Sequence, residues 1–262
     1  MREKALISVI MNCHNGETFL EESLKSLFAQ SYENWELIFW DNLSTDNSKK
    51  ILKKFNDKRI KYYLSDNFTN LYEARNLAIE KASGKYISFL DTDDLWTKDK
   101  LKKQLSFLNE KKEFKILYSN YFIKDEIKKK EYLMYNELLP SGYITQKLLN
   151  NYYLGITSVI LEKKIFEEIN FHKKYNVIGD FDFFIKISQT YKIGSIQEPL
   201  DFYRIHNNSY SLKRSEVYIN ELSQWIQENE KRLKESGFNL NKQKIFLYKL
   251  KIKAFLKKII NK

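Results

Sequence analysis

Short apolar runs alternate with helical periodicity through the first hundred residues. Ala5–Met11, Trp35–Trp40, Ile60–Leu64 and Tyr86–Leu90 have the length and composition of buried strands. Between the first two, Phe19, Leu20, Leu24, Leu27 and Phe28 form one stripe on a helix over Glu17–Gln30. Thr45–Phe55, Leu71–Lys81 and Lys98–Asn109 also read as helices, with Ser44 or Thr45 as the N-cap of the first and Gly84 as the stop of the second. A βαβαβαβα order predicts an α/β fold, a Rossmann-like, mostly parallel sheet with helices on both faces. From about residue 115 the elements shorten. Strands are expected at Ile116–Phe122, Glu131–Tyr135, Thr157–Leu161, Ile193–Ile196 and Leu200–Arg204, and helices near Ile144–Asn151, Lys164–Ile169 and Asp182–Tyr191. From Arg214 the pattern is helical. With no repeat and no flexible linker, the expected organisation is one domain over residues 1–212, in halves 1–110 and 111–212, and a helical extension over 213–262.

Composition narrows this picture. At 43% hydrophobic and 15% aromatic residues, the chain has material for a sizeable core and is not disordered as a whole. A single cysteine, Cys13, excludes an intramolecular disulfide framework and a cysteine-based zinc site, and fits a reducing compartment. The run Ala5–Met11 is too short for a secretory signal, and no stretch approaches the roughly 18 apolar residues of a membrane span. A cytoplasmic location is therefore expected. The net charge is +11, but Lys outnumbers Arg 39 to 6. Readers of bases and phosphates favour the forked donors of Arg, so nucleic acid is not an expected partner.

The polar residues with chemical potential follow the expected strands. Asn12-Cys13-His14-Asn15-Gly16 follows the first, Asp41-Asn42-Leu43-Ser44-Thr45-Asp46 the second and Asp91-Thr92-Asp93-Asp94 the fourth. Ligands of open parallel sheets bind beyond the carboxyl ends of the strands, so these three segments should converge on one rim. Asp91 and Asp93 form a DxD pair suited to a hard cation such as Mn2+ or Mg2+; the same acids equally suit a helix N-terminus. Asp41 either accepts from a nucleobase N–H or closes an Asx turn. Asp180 and Asp182, set among aromatic residues, are two candidates for a general base, and His206 is a candidate donor to a metal or phosphate. His14 and His172 receive no role.

The segments together resemble family 2 of the glycosyltransferases, nucleotide-sugar enzymes of the GT-A fold. Ser8–Gly16 resembles the family's opening S-V-I-x-P-x-Y-N strand, and Trp40–Asp46 its D-D/N-x-S-x-D stretch. Glu73-Ala74-Arg75-Asn76 resembles the A-R-N segment, and Gly84–Asp94 the G-x-Y-I-x-F-L-D-x-D-D block. Gly179–Asp182 is similar to the acidic catalytic segment and Tyr203–Ser211 to the late Y-R-x-H-x-x-S-x-S segment. Asn12 stands in place of the usual Pro, His14 in place of Tyr, Asn42 in place of a frequent second Asp and Gly179 in place of a frequent acid. The resemblance spans about residues 5–211. It implies a donor half over 1–110 and an acceptor half over 111–212. It also implies that Asn12 and Asn15 line the nucleotide pocket, that Asp41 binds the base (most often uracil), and that Arg75, Asp91 and Thr92 face the donor. Asp93, with Asp91 and His206, would hold Mn2+ or Mg2+, and Asp180 would be the base. The implied reaction is inverting transfer from a nucleotide-diphosphate sugar, most often a UDP-sugar, to a glycan or lipid-linked acceptor in cell-surface polysaccharide synthesis.

Two rival functions fit less well. A nucleotidyltransferase should carry a Gly-rich basic loop after the first strand, where Asn12–Gly16 has one Gly and no Lys or Arg. A non-catalytic protein on a degenerate scaffold has no reason to keep Asp41, Asp91, Asp93, Asp180 and His206 together. Gly155-Ile156-Thr157-Ser158 is either an acceptor-side segment or an ordinary junction, and Trp96 either stacks on a sugar or packs beneath the DxD loop. Residues 241–262 hold eight Lys and no acid, +8 of the net charge, leaving +3 for the rest. Ile245, Tyr248, Ile252, Phe255, Leu256 and Ile259 recur at steps of three and four. This basic amphipathic helix either lies peripherally on an anionic membrane or packs its apolar side on the domain.

Overall fold

The computed structural model describes residues 5–209 and 214–260. Its first half follows the expected alternation: β1 (Ile7–Cys13), α1 (Leu20–Phe28), β2 (Trp35–Asp41), α2 (Ser48–Lys53), β3 (Ile60–Leu64), α3 (Leu71–Glu80), β4 (Tyr86–Phe89), β5 (Leu95–Trp96) and α4 (Lys100–Glu110). Then come β6 (Ile116–Asp125), β7 (Lys130–Leu133), α5 (Thr145–Asn150), a 3-10 turn (Ile156–Ser158), β8 (Ile160–Glu162), α6 (Ile165–Glu168), α7 (Gly179–Ser188), β9 (Ile193–Ile205), α8 (Ser215–Glu235) and α9 (Asn241–Ile260). The described strands form a nine-stranded sheet ordered β3-β2-β1-β4-β8-β6-β9-β5, with β7 paired to β6.

The strands β3, β2, β1 and β4 are mutually parallel. Nearly every residue of β1, β2 and β4 is buried, which is why these strands read as unbroken apolar runs. Alternate residues feed two cores. Ile7, Val9 and Met11 pack with Leu20, Leu24 and Leu27 of α1 and Leu101 and Leu105 of α4. Ile10, Ile38 and Phe89 face Ala74, Ala78 and Ile79 of α3 and Phe183 of α7. Beyond β4, the strand β8 joins antiparallel to both β4 and β6, while β9 runs parallel to β6.

Several local expectations change. The helix expected from Thr45 starts at Ser48 behind Asn47, because Ser44, Thr45 and Asp46 bond to the β1–α1 loop instead. Gly84 is not the stop of α3, which closes at Lys81; its N–H donates to Ser8 Oγ in β1. The two strands expected at 193–196 and 200–204 are one, since Pro199 sits at a register irregularity opposite Asn120 and does not end the pairing. The two-residue β5, too short to show a period, hooks the segment after the DxD pair onto β9 through Leu95↔Phe202 and Trp96↔Asp201.

The expected division at 212/213 falls within residues 210–213, outside the described residues. Helix α8 buries Leu222, Trp225, Ile226 and Leu233 in the same core as α3 and α7. No described helix is long and apolar enough to cross a membrane.

Candidate active site

The three polar segments do meet at the carboxyl ends of β1, β2 and β4. Pairing of β1 with β2 sets Asn12 beside Trp40 and Cys13 beside Asp41. Asn12 Nδ2 is buried with no protein partner among the described residues, an open donor at the strand end. Asn15 takes a left-handed conformation with φ +56°. Its N–H donates to Ser44 Oγ at 3.1 Å, and its Oδ1 accepts from the Thr45 N–H at 2.8 Å. Gly16 N–H donates to Ser48 Oγ at 3.0 Å and Glu17 N–H to Asp46 Oδ2 at 2.9 Å. The β1–α1 and β2–α2 loops are thus tied together. Asp41 is buried, its Oδ1 accepting from the Ser44 N–H and its Oδ2 from the Tyr62 hydroxyl, both at 2.8 Å. His14 Nδ1 lies 2.9 Å from the Asn42 carbonyl, and its ring meets the exposed Phe68 edge-on.

Helix α3 orients the next two groups. Tyr72 and Arg75 are three residues apart and lie on one helical face. Arg75 is buried beside the rings of Tyr72 and Phe89, and its Nη2 reaches both carboxylate oxygens of Asp91 at 2.9 and 3.1 Å. Thr92 sits against Gly16, where a Cβ would come within 2.9 Å of Thr92 Oγ1, so only glycine lets the two loops approach this closely. Asp93 Oδ2 lies 3.0 Å from His206 Nε2.

Asp94 turns inward. One oxygen accepts from the Arg204 N–H at 2.8 Å, and the other is buried with no partner among the described residues. Burial, then the charges of Asp93 and Asp91, pushes its pKa well up. Arg204 also donates from Nε to the Asp93 carbonyl at 2.8 Å and pairs with Glu22 and Glu126 at 2.7 Å each, its guanidinium over the Phe19 ring. It therefore locks the DxD loop to the end of β9, where His206 begins. In sequence Arg204 carries no sign of this part beyond its place in the Y-R-x-H segment, two residues before His206. Lys100 and Asp201, also unread, are fully buried below, 3.9 Å apart. Burial brings the Lys100 pKa down to about 8 against the pull of Asp201. Trp96 is buried over this pair and packs beneath the loop.

Asp180 stands in the first turn of α7, within the electrostatic reach of Arg75. Its Oδ1 accepts from the Tyr72 hydroxyl at 2.9 Å and its Oδ2 from the Tyr152 hydroxyl at 3.3 Å. Lost hydration raises its pKa, opposed by Arg75 and the Tyr72 hydrogen bond. A Cβ on Gly179 would stand 2.5 Å from the Tyr72 ring, so the acid frequent at this position in the resembling family has no room here. Asp182 is spent elsewhere: it is buried, accepts from Trp225 Nε1 at 2.8 Å and pairs with Lys186 at 2.7 Å. Thr157 is likewise inward, donating to Asp201 at 2.9 Å, while Gly155 lies against the Tyr121 ring.

Among the described residues no group of three or more His, Cys, Asp or Glu is arranged to hold a metal. Asp93 and His206 nonetheless suit a cation. Neighbouring donors of an octahedral ion at about 2.1 Å are about 3 Å apart, the spacing these two present, and such ions take their remaining ligands from phosphates and water.

The family model described as Glycosyl transferase family 2 matches residues 8–170, a stretch that contains the DxD pair but neither Asp180 nor His206. The UDP-Glc:alpha-D-GlcNAc-diphosphoundecaprenol beta-1,3-glucosyltransferase WfgD of Escherichia coli is 34% identical over 63% of this chain and 64% of its own length. The chain thus spans just under two thirds of that relative. TarS of S. aureus in complex with UDP superposes with a TM-score of 0.63 at 19% identity, over 84% of this chain and 65% of that one. A mannosyltransferase of Pyrobaculum calidifontis in complex with GDP-Man and Mn2+ gives 0.63 at 14% identity, over 86% and 65%. These likenesses identify the fold as GT-A.

Proposed function

Because this chain belongs to glycosyl transferase family 2, we propose that it moves a sugar from a UDP-sugar to a hydroxyl of a glycan or lipid-linked acceptor, with inversion, in cell-surface polysaccharide synthesis. The observation that carries the reading is the arrangement around Arg75. One buried guanidinium bonds Asp91 of the DxD loop and bears on Asp180 of α7. This supports a donor site and a base that both bear on one buried side chain. Uridine as the nucleoside is supported by the UDP-Glc in the relative's name and the UDP bound to TarS. A lipid-linked acceptor is supported by the diphosphoundecaprenol in the same name. The unit that acts is residues 1–212, with the donor on 1–110 and the acceptor on 111–212, working on the cytoplasmic side of the membrane.

In this reading Asn12 and Asn15 line the nucleotide pocket, with the open Asn12 Nδ2 as a donor to the base or ribose. Asp41, buried and already accepting from Ser44 and Tyr62, shapes the floor of the base site, and Thr92 adjoins the diphosphate. Asp93 and His206, with Asp91 beside them, are the residues to hold Mn2+ or Mg2+, which when bound neutralises charge on the diphosphate. Arg75 adds fixed positive charge on the same side. Asp180 takes the acceptor hydroxyl proton as the new bond to the anomeric carbon forms and the bond from that carbon to the diphosphate oxygen breaks. The raised pKa of Asp180 makes its carboxylate a stronger base.

Asp180→Asn should reduce transfer by about 10²–10⁴-fold, the usual worth of a general base, with donor affinity by calorimetry nearly unchanged. Full turnover in that variant would remove Asp180 from the role.

A further inference from the structure

Helix α9 packs on the rest of the chain through one side, flanked by Phe246 against Tyr218 and by Lys244 and Lys251, which reach Glu230 and Ser223. Gln243 and Leu247 are buried, and Leu250 and Ala254 half-buried, marking a single side of the helix. Gln243 Nε2 donates to the Leu149 carbonyl of α5 at 2.9 Å, and Leu247 joins the main core. At about 100° per residue, the opposite side carries Ile245, Tyr248, Ile252, Phe255 and Leu256. These five are 52, 65, 41, 63 and 51% exposed. An amphipathic helix of a globular domain turns such a stripe inward; here it faces out. Lys242, Lys249 and Lys253 border the stripe on one side, and Lys244 and Lys251 on the other. Among the described residues Lys242, Lys249 and Lys253 are exposed and in no ion pair, while Lys244 pairs with Glu230.

We infer that this face of α9 docks on an anionic lipid surface, its apolar stripe at the headgroup boundary and its Lys rows against lipid phosphates. The charge pattern selects this occupant. A second copy of the chain laid stripe to stripe would bring Lys rows against Lys rows, and nucleic acid has no use for an apolar stripe between them. The docking also suits the proposed acceptor side, since the Leu149 carbonyl held by α9 lies three residues before Tyr152, whose hydroxyl reaches Asp180.

Flotation of the full chain with phosphatidylcholine vesicles, with and without phosphatidylglycerol, tests this. The wild-type chain should float with the anionic vesicles only and be released by high salt. Ile252→Glu combined with Phe255→Glu should weaken binding about tenfold or more, both positions being exposed. Lys242→Ala, Lys249→Ala and Lys253→Ala should each weaken it about fivefold, and they keep the test alive if the apolar variant misfolds. No flotation of the wild type, or flotation of both sets of variants equal to that of the wild type, would overturn the inference. So would a dimer in light scattering that Ile252→Glu with Phe255→Glu converts to monomer, which would assign the face to a second copy. None of these readouts depends on sugar transfer.

Discussion

Asp180 is held between two phenols from different elements, Tyr72 of α3 and Tyr152 beyond α5. Removing the Tyr72 donor in Tyr72→Phe takes away a hydrogen bond to the ionised form and so raises the Asp180 pKa further. Activity that needs the carboxylate then fails at higher pH. The acid limb of the kcat–pH profile should therefore move to higher pH. Nucleotide release measured across the pH range checks this, and an unmoved limb would mean Tyr72 only supports α7. At this scale the sequence shows which residue types stand at the strand ends but not how each is used. Asp180 and Asp182 look alike in sequence; a tryptophan 43 residues downstream separates them by consuming Asp182. Arg204 hides for the same reason, its partners Glu22, Asp93, Asp94 and Glu126 lying far back along the chain.

Elements were legible in proportion to their burial and length. The strands β1, β2 and β4 are covered on both faces and advertise themselves as apolar runs, whereas β5 has too few residues for a period and β9 is masked by Gln197-Glu198-Pro199. What fastens the strands together at their starts was not legible. Glu36 at the head of β2 is buried, and it accepts from Ser8 Oγ of β1 and from the Ser83 N–H ahead of β4 while pairing with Lys61 of β3. Burial alone would raise its pKa, but Lys61, Ser8 and Ser83 outweigh burial and leave it lowered. A carboxyl that binds its proton less readily when folded adds stability above its unfolded pKa, near 4.3, and loses it as pH falls through the folded value. Glu36→Gln should therefore cost about 2 kcal/mol at pH 7, read as a lower urea midpoint, and the gap to wild type should close toward pH 3. A gap that persists in acid would show that shape, not charge, matters at Glu36.

At the scale of the whole molecule, the basic excess separates cleanly from the rest: +8 lies in residues 241–262 and +3 elsewhere. The sequence revealed the apolar stripe of α9, but the direction it faces came only from the docked line through Gln243 and Leu247; the side chain of Ile259 lies outside the described residues. The proposed donor site joins segments that are distant in the chain, with Asp93 and His206 brought together by β5, β9 and Arg204. A ligand that engages both sides should stabilise the folded chain. Saturation at about 100 times the dissociation constant is worth about 2.7 kcal/mol, or roughly 5–10 °C in Tm. Differential scanning fluorimetry with UDP and Mn2+ should show this rise, and Asp93→Ala or added EDTA should remove the Mn2+-dependent part. A rise unchanged in Asp93→Ala would place the cation elsewhere. The tie between the β1–α1 and β2–α2 loops bears on how such a ligand is received. Asn15, Gly16 and Glu17 are bonded to Ser44, Thr45, Asp46 and Ser48, so the rim surrenders its conformational entropy when the chain folds and has little left to lose to a nucleotide. Capture of the proposed nucleotide at that rim would then be a collision with a finished surface, its rate set by diffusion and charge instead of by the wait for a loop to close.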